Sequence, residues 1–250
     1  MPLLLGLSLL PGCRVVGEEV VAGSRPAAAR EALDLPAERA LLAGFLIVDG
    51  VYNTELVAPL DVFEHTRHHA PPGIEVFTVS PEGGEVVTAE GLRIVADHSF
   101  ASAPQPDILV VPSARESRGS DLEDRAMIDW VRSTGASARF VVSLCWGAFV
   151  LAEAGLLDGR SCTTFPSDYQ LFAERFPAAV LRVNASYVHD GKTITSQGGV
   201  KSYDAAMYLV DLLFGTDTAQ RVGSGLLIPW PPGGSSLAVS DPVYLRQAER

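Results

Sequence analysis

Arg139-Phe-Val-Val-Ser-Leu-Cys145-Trp-Gly-Ala-Phe-Val-Leu-Ala-Glu-Ala-Gly155 is the stretch that decides the fold. Phe140 to Leu144 is an apolar run of strand length, and Ala148 to Ala154 are helix formers that Gly155 can stop. Only Cys145-Trp146-Gly147 separates them. A strand that becomes a helix with no spacer holds its turn residue in a tight, exposed bend. That is the mechanics of a nucleophile elbow, here with sulfur in place of a serine hydroxyl. A helix start beside Cys145 would offer N–H groups and positive dipole to a thiolate, and to an oxyanion formed next to it. The same residue also reads as a packed core thiol, because free cysteine is among the most buried residue types.

Outward from the elbow, strand and helix signals alternate. Strands are predicted at Gly44–Val48, Ile74–Val79, Asp107–Val111, Ser161–Phe165 and Ala179–Val183. Hairpins are predicted around Glu90-Gly91 and around Asp190-Gly191. Asn53 or Thr54 is expected to cap a helix running toward His68, and Ser120 or Asp121 one that Gly135 stops. Ser167 and Gln170 suggest a capping box for a helix to Phe176, with further helices over 200–214 and near 218–222. This order predicts an α/β fold: a doubly wound, mostly parallel sheet with helices on both faces, a flavodoxin-like sandwich carrying a nucleophile elbow. Ligands in such sheets bind beyond the carboxyl ends of the strands. Glu55, Pro112-Ser113-Ala114 and Cys145 all fall on that edge.

Composition narrows the function. The chain has 250 residues, 47% of them hydrophobic, and a net charge of −11. The scattered basic residues argue against a nucleic-acid partner, which needs a basic face. Three cysteines, Cys13, Cys145 and Cys162, make neither a disulfide framework nor a zinc motif, so no metal or cofactor is expected. Cys162 reads as a packed thiol in a strand. His65, His68 and His69 read as a solvated helix face, His98 and His189 as loop or turn residues. Residues 3–10 are apolar and lead into Pro11-Gly12-Cys13. This resembles a bacterial lipoprotein signal with Cys13 lipidated, although no Lys or Arg precedes the apolar run. The expected layout is a signal over 1–13, a linker over 14–42, the domain over 43–230 and an irregular tail over 231–250. Export to the cell envelope, with membrane contact only through that anchor, is the expected location; the cytoplasm is the alternative.

Five motifs carry a family resemblance across residues 43–230: Val51-Tyr-Asn-Thr-Glu55-Leu-Val-Ala-Pro59-Leu-Asp-Val-Phe63, Leu109-Val-Val-Pro112-Ser-Ala, Val142-Ser-Leu-Cys145-Trp-Gly-Ala148, Gly155-Leu-Leu-Asp-Gly159 and Thr193-Ile-Thr-Ser196-Gln-Gly-Gly199. They resemble the DJ-1/PfpI (ThiJ/PfpI) family of the class I glutamine amidotransferase-like superfamily, and within it the isonitrile-hydratase-like and amidase-like branch. The resemblance implies that Cys145 is the elbow nucleophile and Glu55 the acid sharing its proton. It implies an oxyanion pocket made by the amides of Trp146 and the Ser113/Ala114 pair, with Asn53, Phe165 and Gly147 around it. It also implies a small-molecule substrate and a homodimer. Two places where many members carry histidine hold Trp146 and Phe165, so no Cys–His pair carries over. That suits a Cys–carboxyl hydratase or amidase better than a protease. Redox sensing, a stress or chaperone role, and a ligand-binding domain that has lost activity are the alternatives.

Overall fold

Successive strand residues feed two separate cores, as the period of two in a strand requires. In the computed structural model, Ile108 and Val110 face one apolar cluster while Leu109 and Val111 face the other. Phe140, Val142 and Leu144 likewise oppose Val141. A sheet buried on both faces needs helices on both, and the chain supplies them. The structure describes Pro36, residues 38–233 and residues 237–240. The signal over 1–13 with Cys13, and the linker up to Leu35, lie outside the described residues.

Strands β1 (Leu41–Leu46), β2 (Ile74–Ser80), β5 (His98–Ser99), β6 (Ile108–Val111), β7 (Phe140–Leu144), β10 (Tyr187–Asp190), β11 (Thr193–Ser196) and β12 (Leu237–Ser240) form one eight-stranded sheet in the order β12-β10-β11-β7-β6-β1-β2-β5. Every pairing is parallel except the β10–β11 hairpin. Helices α1 (Asn53–His69), α5 (Lys201–Phe214) and α6 (Thr216–Leu226) cover one face, and α2 (Arg125–Ser137), α3 (Gly147–Glu153) and α4 (Tyr169–Arg175) the other. The doubly wound parallel sandwich is therefore present. Two small sheets flank it: the hairpin β3 (Glu85–Val87) with β4 (Arg93–Val95), and the parallel pair β8 (Ser161–Cys162) with β9 (Val180–Leu181).

Several expectations need correction. The first strand begins at Leu41, two residues inside the expected linker, and pairs from there with Ile74. The tail is not wholly irregular, since Leu237–Ser240 pairs with β10 as an edge strand. Asn53 is the first helical residue rather than a cap; Tyr52 holds the cap position without a side-chain bond. No capping box forms at Ser167, which lies in a 3-10 turn and donates to Asp168 Oδ2. The strand expected over 161–165 stops at Cys162; beyond it the Thr163 N–H donates to Thr195 Oγ1 at 2.8 Å and Thr164 Oγ1 to the Cys145 carbonyl at 2.9 Å. His98 and His189 are strand residues; His189 is buried, between Tyr208 Oη and the Gly191 carbonyl. Of the three helix histidines only His68 is exposed, while His65 and His69 are half-buried.

Candidate active site

Parallel register brings the site together. Ser196 pairs with Leu144, and the Cys145 N–H donates to the Ser196 carbonyl at 3.0 Å. The residues following β11 therefore lie beside the elbow. Cys145 has φ 55°, left-handed and unusual for a side chain other than glycine. Such strain is held by surroundings that over-determine it. Thr164 Oγ1 donates to the Cys145 carbonyl at 2.9 Å, and the Ala148 N–H reaches the same carbonyl at 3.4 Å. Two glycines make room. A Cβ on Gly147 would lie 2.0 Å from the Val111 carbonyl oxygen, and one on Gly198 would lie 2.3 Å from Cys145 Cβ. Gly147 therefore permits the close packing of the helix start on β6.

Glu55 enters from the first turn of α1 and is buried. Its Oε1 accepts the Gly199 N–H at 2.9 Å, which fixes the carboxylate against the loop that touches the elbow. Its charge acts on the Cys145 thiol. Burial pushes that thiol up; the Ser113 hydroxyl lowers it, Glu55 raises it, the Trp146 N–H lowers it and Asp168 raises it, and the outcome is about 12. The helix start is thus outweighed. Burial and the two carboxylates oppose the thiolate that the helix start was expected to favour, and they outweigh the nearby Ser113 hydroxyl and Trp146 N–H.

The proposed oxyanion donors differ in what they are free to do. The Trp146 N–H acts on the sulfur. The Ala114 N–H is already committed, donating to Ser117 Oγ at 2.8 Å within buried surroundings. Ser113 is fully buried, and its carbonyl accepts the Tyr52 N–H at 3.0 Å, lashing this loop to the one that carries Glu55. Asn53 donates its N–H to Glu90 at 3.0 Å, while its Oδ1 is buried without a hydrogen-bond partner.

A group around Trp146 was mostly invisible in the sequence. The indole N–H donates to Asp168 Oδ2 at 2.8 Å. Arg118 pairs with Asp168 and lies over the indole, 3.9 Å from the ring centroid, in cation–π contact. Tyr52 and Phe165 meet the same ring edge-on, at 5.9 and 6.3 Å. Burial alone would raise the Asp168 carboxyl, but bonds from Ser167 and Trp146 and the Arg118 charge hold it below the usual range. Asp168 is therefore held as an anion by its three partners. Asp168 follows the Ser167 cap candidate in sequence, a place with a structural reason of its own for an acid. Nothing in the local sequence marks Arg118, Tyr52 or Thr164 for such contacts. The Gly198-Gly199 pair after a strand is the signal that a backbone approaches closely there.

A family model described as the DJ-1/PfpI family matches residues 42–212. The chain is 33% identical over 194 residues to the isonitrile hydratase of Pseudomonas putida, a match covering 77% of this chain and 81% of that protein. Its fold is similar to the crystal structure of Drosophila melanogaster DJ-1beta, with TM-score 0.67 and 25% identity over 76% of this chain and 100% of that one. It is also similar to a ThiJ/PfpI family protein from Pseudomonas syringae, with TM-score 0.69 and 22% identity over 90% of this chain and 91% of that one.

Proposed function

Because the chain belongs to the DJ-1/PfpI family, we propose that it is a cysteine-dependent hydratase acting on a small electrophilic carbon, with an isonitrile as the first substrate class. The observation that carries this is a left-handed Cys145 within electrostatic reach of a buried Glu55 whose carboxylate is anchored on the Gly199 N–H. The similarity to an isonitrile hydratase supports that substrate class.

The chemistry follows from a thiol that rests protonated. Glu55 takes the S–H proton as sulfur bonds to the terminal carbon of R–N≡C, and delivers it to that carbon, leaving a thioimidate R–N=CH–S–Cys. Water then adds to the same carbon. The C–S bond breaks, sulfur recovers a proton, and the N-substituted formamide R–NH–CHO leaves. One water is consumed and no electrons are exchanged. The redox-sensor alternative needs the same loss of the Cys145 proton, since peroxide reacts with the thiolate, but no similarity to a named hydratase supports it.

Turnover of a panel of small isonitriles and amides tests the reading. Cys145→Ala and Glu55→Gln are each expected to cut formamide production by roughly 1000-fold or more, as losses within one catalytic unit do. A Cys145→Ala protein that still hydrates isonitriles at the parent rate would end it. A homodimer and an export signal ending at Cys13 belong to the same proposal. Sedimentation of the purified protein tests the first, and the mass of the N-terminal peptide from the native host tests the second.

A further inference from the structure

Ser113 Oγ is a buried side-chain polar atom with no hydrogen-bond partner, on a residue with no exposed surface. Leaving such a hydroxyl unpaired is costly, so its presence calls for a reason. Four other side-chain atoms share that condition among the described residues: Asn53 Oδ1, Arg118 Nε, Ser143 Oγ and Ser202 Oγ. Of the five, Ser113 Oγ is the one that acts on the Cys145 sulfur. The hydroxyl favours the thiolate as a hydrogen-bond donor would, although it makes no complete hydrogen bond in the resting structure. Its neighbour cannot substitute. The Ala114 N–H is held by Ser117 Oγ at 2.8 Å, and Ser117 Oγ in turn donates to Asp121 Oδ2 at 3.3 Å. The loop is also fixed from the other side, by the Tyr52 N–H on the Ser113 carbonyl.

We propose that the Ser113 hydroxyl, and not the Ala114 amide, is the second donor of the charge-stabilising pair whose first member is the Trp146 N–H. In the resting protein the donor waits beside the thiol. As sulfur gives up its proton the hydroxyl turns onto the thiolate. When water adds to the thioimidate, it donates to the oxygen of the tetrahedral adduct. A donor unpaired in the ground state and paired in the transition state contributes to rate rather than to binding. The role on the adduct rests on the Cys145 hydratase reading; the contact with the sulfur does not.

Two measurements separate those levels. The first follows alkylation of Cys145 by iodoacetamide against pH, read at the Cys145 peptide by mass spectrometry, and needs no turnover. Ser113→Ala is expected to move the midpoint upward and slow alkylation at fixed pH severalfold, while Ser113→Thr, which keeps the hydroxyl, stays near the parent. The second is isonitrile hydration. Ser113→Ala is expected to lower kcat roughly 100-fold with KM nearly unchanged, the scale of losing one oxyanion donor. Ser117→Ala frees the Ala114 N–H, and adding it to Ser113→Ala is expected to restore part of the rate. If Ser113→Ala folds with an unchanged thermal midpoint and leaves both the alkylation profile and kcat at parent values, the hydroxyl is not a donor and the Ser113 proposal falls. If the alkylation midpoint moves but no isonitrile is hydrated by the parent protein, the contact stands and the hydratase reading fails instead.

Discussion

Two carboxylates, Glu55 and Asp168, oppose the ionisation of the Cys145 sulfur through their charge, and each can be neutralised with an isosteric amide. Asp168→Asn keeps an oxygen for the Trp146 indole but removes a charge, so the Cys145 thiol should fall from about 12. The alkylation midpoint at Cys145 is expected to move down, and alkylation at pH 8 to speed up severalfold. An upward or unmoved midpoint would show that Asp168 does not act on the sulfur. Gly198 offers the opposite experiment. A methyl at φ +86° and 2.3 Å from Cys145 Cβ has no place to go. Gly198→Ala is expected to lower the thermal midpoint by several degrees, as ~1–3 kcal/mol of strain would. An unchanged melting curve would contradict the packing described. These two residues also mark what could be read in advance. Cys145 and Glu55 stand out because the elbow and the strand ends declare themselves in local sequence. Arg118 and Tyr52 do not, because they act through the face of Trp146, and nothing along the chain says which rings will meet. The direction of the thiol shift was also hidden, since it depends on burial and on Asp168, a residue with an ordinary structural reason to be where it is.

At the scale of elements, apolar periodicity located most strands and helices, while their ends were set by contacts from distant residues. Helix α2 illustrates this. Gly135 suggests a stop, yet the helix continues to Ser137. A Cβ at Gly135 would lie 2.6 Å from Leu156 Cδ1, so the glycine serves packing against the segment after α3 rather than termination. The helix end is made by Lys192, from the turn between β10 and β11. Its Nζ donates to the carbonyls of Gly135 and Ala136 at 2.7 Å and of Ala138 at 3.2 Å. This cation at a helix C-terminus satisfies carbonyls the helix cannot pair itself. Lys192→Met keeps the stem and removes all three bonds, and is expected to cost ~1–3 kcal/mol in denaturant unfolding. A loss below about 0.3 kcal/mol would mean water replaces the ammonium at no cost. The misread caps share this cause. Ser167 and Asn53 have the composition of caps, but Asp168 takes the Ser167 hydroxyl and Glu90 takes the Asn53 N–H.

For the whole molecule, one anion at the amino edge of the sheet ties the chain entry to two central strands. Asp107, at the start of β6, accepts Arg39 at 2.6 and 2.9 Å and the Leu42 N–H at 2.9 Å, with Arg139 3.4 Å away at the start of β7. Its backbone carbonyl also receives the Arg139 and Phe140 N–H groups at 2.8 and 3.0 Å. Burial alone would raise this carboxyl, but the Arg39 bonds, the Leu42 N–H and the two guanidinium charges hold it below 3.8. The sign then follows. A carboxyl depressed in the folded state binds its proton more readily when unfolded, so its contribution is complete above 3.8 and drains away as pH falls toward the folded value. Asp107→Asn is expected to cost about 1–3 kcal/mol near neutral pH, discounted because Arg39 is half exposed. The urea midpoints of parent and variant should converge as the pH is lowered below about 4, since the parent loses what the variant never had. A gap that stays constant down that range would show that Asp107 stabilises the junction by shape and backbone pairing alone, with its charge contributing nothing.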